Sequence, residues 1–121
     1  MEGQSDRALW FDALGCTLEM EALPAEEILE GSPSTGSRVL FEDDFVECGV
    51  WEMFPGVARD VEVDEVFVVI SGEARLLRHR DHGSDEVDLR PGVTVVLREG
   101  EETTWSVSTP LRKVYWVRKS P

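Results

Sequence analysis

Glu65-Val-Phe-Val-Val-Ile-Ser-Gly72 decides the fold. Val66 to Ile70 is apolar without interruption, rich in β-branched side chains and closed by a Ser-Gly pair, the pattern of a strand buried on both faces inside a sandwich or barrel wall. A carboxylate leads into it. Strand alternation sets Glu65 on the side of Phe67 and Val69, and Asp64 on the side of Val66, Val68 and Ile70, since successive side chains point to opposite faces.

The same period runs outward in both directions. Downstream, Glu73 to Arg80 resumes, Asp81-His-Gly-Ser84 closes a hairpin to Glu86–Arg90, and Pro91-Gly92 turns into a second buried strand, Val93 to Leu97. Glu99-Gly100 turns again before two last strands, Thr103 to Ser108 and Lys113 to Val117. Upstream, Arg38 to Phe41 ends in the acidic turn Glu42-Asp-Asp44. Phe45 to Phe54 follows, with Phe45, Glu47, Gly49, Trp51 and Met53 on one side and Val46, Cys48, Val50, Glu52 and Phe54 on the other, until Pro55-Gly56. Short strands at nearly regular spacing with Gly and Pro turns predict an all-β sandwich or closed barrel.

Before Arg38 the pattern differs. Ala8-Leu-Trp-Phe11 with Ala13-Leu14 reads either as a helical turn or as an arm packing on another subunit. Pro24 to Glu30 reads as a short helix, with Pro in its first turn, acids near its positive end and Gly31 just past it. Gly31 to Ser37 has loop composition. The expected organisation is one domain: residues 1–37 an arm and short helix packing on the barrel, residues 38–121 the barrel itself.

Composition narrows the classes of function. A chain of 121 residues that is 41% apolar can bury its own core. Its polar start, Met1 to Arg7, lacks the basic region and apolar run of a secretory leader. Cys16 and Cys48 lie far apart with no zinc-like spacing, which fits reduced thiols and a cytoplasmic location. Twenty-five acidic residues against 12 basic give a formal net charge of −13, so nucleic acid and anionic membrane are poor partners. The charge is concentrated in residues 1–60, with 14 Asp or Glu and 3 Lys or Arg, whereas residues 61–121 carry 11 and 9.

Glu65 and Gly72, then Gly92 and Gly100, have the spacing of the two sequence motifs of the cupins, with Arg98 where those motifs usually carry Pro. More narrowly, Gly49-Val-Trp-Glu52, Pro55-Gly56, Asp64-Glu65, Ser71-Gly72, Pro91-Gly92, Glu99-Gly100, Thr104-Trp105 and Arg112-Lys-Val-Tyr115 resemble small cupins of the ureidoglycine aminohydrolase and ethanolamine-utilisation group. The resemblance implies a jelly-roll barrel over roughly residues 38–118, with Glu65 pointing inward. It also implies a three-His, one-Glu metal site, and here the sequence departs. Counting back from Glu65 finds Arg59 and Val61, or Ala58 and Asp60, and the last His position holds Thr103. No cofactor is therefore expected, unless oxygen ligands such as Asp60, Glu62 and Glu65 replace the imidazoles around a hard ion. His79 and His82 flank the hairpin turn and read as exposed.

The chemistry that remains is a set of acids, rings and cations. Glu65 either serves as an acid or base, its pKa raised by desolvation, or accepts hydrogen bonds and closes the wall. Trp51, Trp105, Trp116 and Tyr115 fill the core, or Trp51 and Trp105 line a pocket with Tyr115 as polar handle. The candidate catalytic set is Glu65, Tyr115 and Lys113; the candidate ligand-binding set is Trp51, Arg59, Glu62, Arg98, Thr103 and Trp105. The expected function is binding of a small polar or anionic metabolite in the barrel, with metal-independent turnover or a divergent metal site as alternatives. A homodimer is expected, paired through the N-terminal segment or exposed strand edges.

Overall fold

The computed structural model describes residues 9–119, so the reading of Met1 to Arg7 lies outside the described residues. Among these described residues nine strands follow in order: β1 (Glu21–Ala22), β2 (Ile28–Glu30), β3 (Ser34–Glu42), β4 (Val46–Met53), β5 (Gly56–Val61), β6 (Glu65–Arg80), β7 (Gly83–Leu89), β8 (Thr94–Leu97) and β9 (Glu102–Arg118). Two of them carry the architecture. β6 and β9 pair antiparallel from Glu65↔Val117 to Arg78↔Thr103. The first half of β6 also pairs β8 and its second half β7, while β9 pairs β5 at its start and β4 at its end. One layer therefore runs β1-β3-β4-β9-β6-β8 and the other β2-β5-β9-β6-β7. Folded over each other, they make a jelly-roll barrel.

The fold line is where both long strands bend. The β6–β9 register shifts between Val69 and Ala74. Gly72 sits there with φ +89, and a Cβ on it would stand 2.0 Å from the carbonyl oxygen of Pro110, so only glycine fits. Phe67, Val69, Ala74, Leu76, Leu89, Val95, Leu97, Val107 and Leu111 fill the interior between the layers.

Several local expectations change. Ser71-Gly72 and Ser108–Arg112 are bends inside continuous strands rather than breaks. The helix expected over Pro24–Glu30 shrinks to one 3₁₀ turn, Ala25–Glu27, after which β2 lies along β5 with Ile28 opposite Ala58. An open strand edge offers that segment more backbone hydrogen bonds than two turns of isolated helix would. The stretch Ser34–Ser37, expected as loop, is the start of β3, its Thr35 opposite Met53 of β4. Gly56 to Val61, which no alternation had singled out, is β5.

Residues 9–16 lie on the outer face. The Arg112 guanidinium donates to the carbonyls of Ala13, Leu14 and Cys16 at 2.9, 3.2 and 2.8 Å, and to Glu52 Oε1 at 2.6 Å. Arg38 stands over the Phe11 ring, 5.3 Å from its centre.

Candidate functional site

Inward positions of β4, β5, β6 and β9 enclose a cavity of about 370 Å³, within the range of roughly 300–1,000 Å³ common for small-molecule sites. Strand alternation delivers its wall: Glu47, Trp51 and Met53 from β4, Ala58 and Asp60 from β5, Glu65 from β6, and Trp105, Lys113 and Tyr115 from β9. The 3₁₀ turn adds Glu27 at the mouth.

Lys113 is the centre of the site. Its side chain is buried, and its Nζ lies 4.5, 4.3 and 4.7 Å from the ring centres of Trp51, Phe67 and Trp105. Three ring faces around one ammonium make cation–π contacts with it. The same Nζ stands 2.7 Å from Glu65 Oε2. This is a charge contact rather than an aligned hydrogen bond, because Oε2 is buried with no hydrogen-bond donor. Burial pushes the Glu65 carboxyl up and the Lys113 charge pulls it back, with burial the larger effect.

Around this pair the other acids are held by neutral donors. Glu62 Oε2 accepts from Thr103 Oγ1 at 2.6 Å and from Trp105 Nε1 at 3.0 Å. Tyr115 donates its hydroxyl to Glu47 Oε2 at 2.8 Å. Burial and that carboxylate raise the phenol pKa, so Tyr115 is a standing hydrogen-bond donor and not a base. Burial, and then the charge of Glu62, push Asp60 up to about 6, while the backbone N–H of Val61 opposes the shift. Asp60 keeps a solvent-exposed edge at the mouth, so water screens part of that effect.

The residues picked from the sequence divide accordingly. Glu65, Tyr115, Lys113, Trp51, Arg59, Glu62 and Trp105 all line the cavity. Thr103 is buried and reaches it indirectly, through Glu62 and Trp105. Arg98 lies elsewhere, exposed on the turn between β8 and β9, because the glycine turn carries it away from the inward face. Arg59 is exposed at the mouth and donates twice to the Glu26 carbonyl, at 3.2 and 3.0 Å. His79 bonds Ser84 and Thr104 through its two ring nitrogens. Glu47 and Glu27 were not singled out from the sequence. Glu47 shares its alternation side with Trp51, a usable signal; Glu27 falls in the segment read as helix and gave none.

The donor set does not fit the metal implied by the cupin resemblance. Among the described residues no group of three His, Cys, Asp or Glu is arranged to hold an ion. Glu65, the retained ligand position, already faces an ammonium 2.7 Å away, which would repel a divalent cation placed beside it.

Comparison with known proteins bears on the same region. The family model for the EutQ-like cupin domain matches residues 40–115. No curated protein matches the chain. Among solved structures, the Clostridium difficile EutQ protein aligns with a TM-score of 0.60 at 21% identity, over 71% of this chain and 63% of its own. A protein of unknown function from Pseudomonas syringae pv. tomato aligns at 0.72 and 25% identity, over 88% of this chain and 46% of its own. The Schizosaccharomyces pombe Cnp3 cupin domain aligns at 0.67 with 11% identity, over 94% and 76%. This chain thus spans less than two thirds of the first two.

Proposed function

The chain belongs to the EutQ-like cupin domains, and from that premise we propose that it binds a small polar metabolite in the barrel cavity. One observation carries the reading: a cavity of about 370 Å³ whose wall holds a fixed, caged ion pair, Lys113 with Glu65. Burying two charges beside open space costs desolvation that an apolar pair of the same size would not. A stabilising role alone does not account for it. A ligand that uses the pair does.

Trp51 and Trp105 stand in the wall with ring centres 5.4 Å apart, so their fluorescence reports occupancy. Glu65→Gln should abolish the fluorescence response to ligand while unfolding remains cooperative; an unchanged response would assign Glu65 to structure alone. The raised pKa of Glu65 favours a second reading, metal-independent acid–base catalysis on the bound molecule. In that case Glu65→Gln loses turnover and keeps binding. Two free thiols, Cys16 and Cys48, fit a reducing compartment such as the cytoplasm. No helix among the described residues is long and apolar enough to cross a membrane.

A further inference from the structure

We propose that the molecule bound in this cavity carries positive charge, as an amine or quaternary ammonium group, which excludes the anion that was one of the two ligand classes expected from the sequence. The inference rests on the cavity being a binding site at all. Five carboxylates line it, Glu27, Glu47, Asp60, Glu62 and Glu65, against two cations, Arg59 and Lys113. The cations are already engaged. Lys113 is neutralised by Glu65 at 2.7 Å and covered by three rings. Arg59 turns its guanidinium to the Glu26 carbonyl at the mouth.

The acids are engaged differently. Glu62 and Glu47 accept hydrogen bonds from Thr103, Trp105 and Tyr115, all neutral groups, which orient a carboxylate without cancelling its charge. An anion entering this space meets uncompensated negative charge on several sides. An ammonium meets the reverse. It also meets Oε2 of the nine-tenths buried Glu65 side chain, which stands 2.7 Å from Lys113 Nζ without the alignment of a hydrogen bond and so keeps acceptor capacity for a second donor.

Two further features point the same way. The wall already holds one alkylammonium, that of Lys113, against Trp51 and Trp105, so its ring surfaces suit that chemistry. The net charge of −13 draws cations toward the mouth and repels anions.

The test uses four probes of similar size on the intact chain at low ionic strength: 1,4-diaminobutane, tetramethylammonium, neutral butyramide and succinate. Calorimetry and tryptophan fluorescence should show the two cations binding and succinate silent. Glu47→Gln and Asp60→Asn should each weaken the cations roughly tenfold or more, the scale of a lost charged hydrogen bond. Asp43→Asn, on the outer turn, should leave binding unchanged and so separates the cavity from general attraction to an acidic surface. Equal weakening by Asp43→Asn would overturn the inference. Succinate binding at least as tightly as the amines would overturn the charge assignment and leave the cavity a binding site. Silence from all four probes would remove both.

Discussion

Lys113 and Glu65 hold each other in an environment that suits the ammonium better than the carboxylate. Three rings stabilise the cation, whereas burial disfavours the anion. Lys113→Met should therefore strand a buried carboxylate and destabilise the fold by about 3–5 kcal/mol at about pH 7.5. The sign of its pH dependence follows. Without Lys113 the folded pKa of Glu65 rises further above its unfolded value, so the penalty is absent in acid and grows as pH climbs through that interval. Urea midpoints of variant and parent should converge toward about pH 4. A gap independent of pH would refute this, and adding Glu65→Gln should restore most of the loss. Asp60, raised to about 6, has the same sign: the fold loses stability as pH rises from roughly 4 to 6. Asp60→Asn should accordingly raise the melting temperature above about pH 7, by no more than about 1 kcal/mol in stability because its edge is solvated, and leave it unchanged below about pH 4. Equal shifts at both pH values would rule it out.

At the scale of strands, Gly72 is the residue on which the folding-over of the two layers depends. Gly72→Ala should cost roughly 3 kcal/mol or more, combining a strained backbone with a clash, since its Cβ would stand 2.0 Å from the Pro110 oxygen. Gly92→Ala, at φ +98 with nothing within 4 Å, should cost only about 1 kcal/mol of backbone strain. Equal losses in urea unfolding would show that the Pro110 contact does not matter. The contrast also explains what the sequence disclosed. Alternation exposed β4, β6, β7, β8 and β9, because each buries one face; the burial of both faces expected for Val66–Ile70 and Val93–Leu97 does not hold, since Val66 and Val96 are 39% and 44% exposed on the outer side. It did not tell a bend from a break, since Ser71-Gly72 and Pro110 mark either. β5 and β2 stayed hidden because their strand character comes from the edge each lies along, β9 for β5 and β5 for β2, and not from their own residues. The site was legible for a related reason: period two set Glu65 with Phe67 and Lys113 with Tyr115 on shared faces, and the cupin resemblance implied that the Glu65 face is the inward one. Arg98 was misplaced because a turn obeys no such period, and the crossing of β4 with β9 that unites Tyr115 with Glu47 is a property of the register alone.

For the molecule as a whole, the outer face of the β3-β4-β9-β6-β8 layer presents a row of exposed apolar groups. The registers Phe41↔Cys48, Cys48↔Trp116, Val66↔Trp116 and Val66↔Val96 make one apolar row across five strands. Phe41, Trp116, Val66 and Val96 are 47%, 44%, 39% and 44% exposed, an unusual alignment of large apolar groups for a free surface. One end of the row carries Asp43 and Asp44 beside Phe41, the other Arg98 beside Val96, while Arg118 at the middle strand is paired with Asp64 at 3.0 Å. A two-fold axis running along the strands would set β8 of one copy over β3 of the next and bring opposite charges together. We propose that a second copy of this chain occupies this face, through an isologous contact. Sedimentation at micromolar concentration should show a dimer, and Trp116→Glu should convert it to monomer without loss of cooperative unfolding. Rising salt should tighten the dimer, because it screens the repulsion between two chains of net charge −13. A monomer under every condition would leave the row to a different partner chain and refute self-pairing; a dimer indifferent to Trp116→Glu would move the contact off this face.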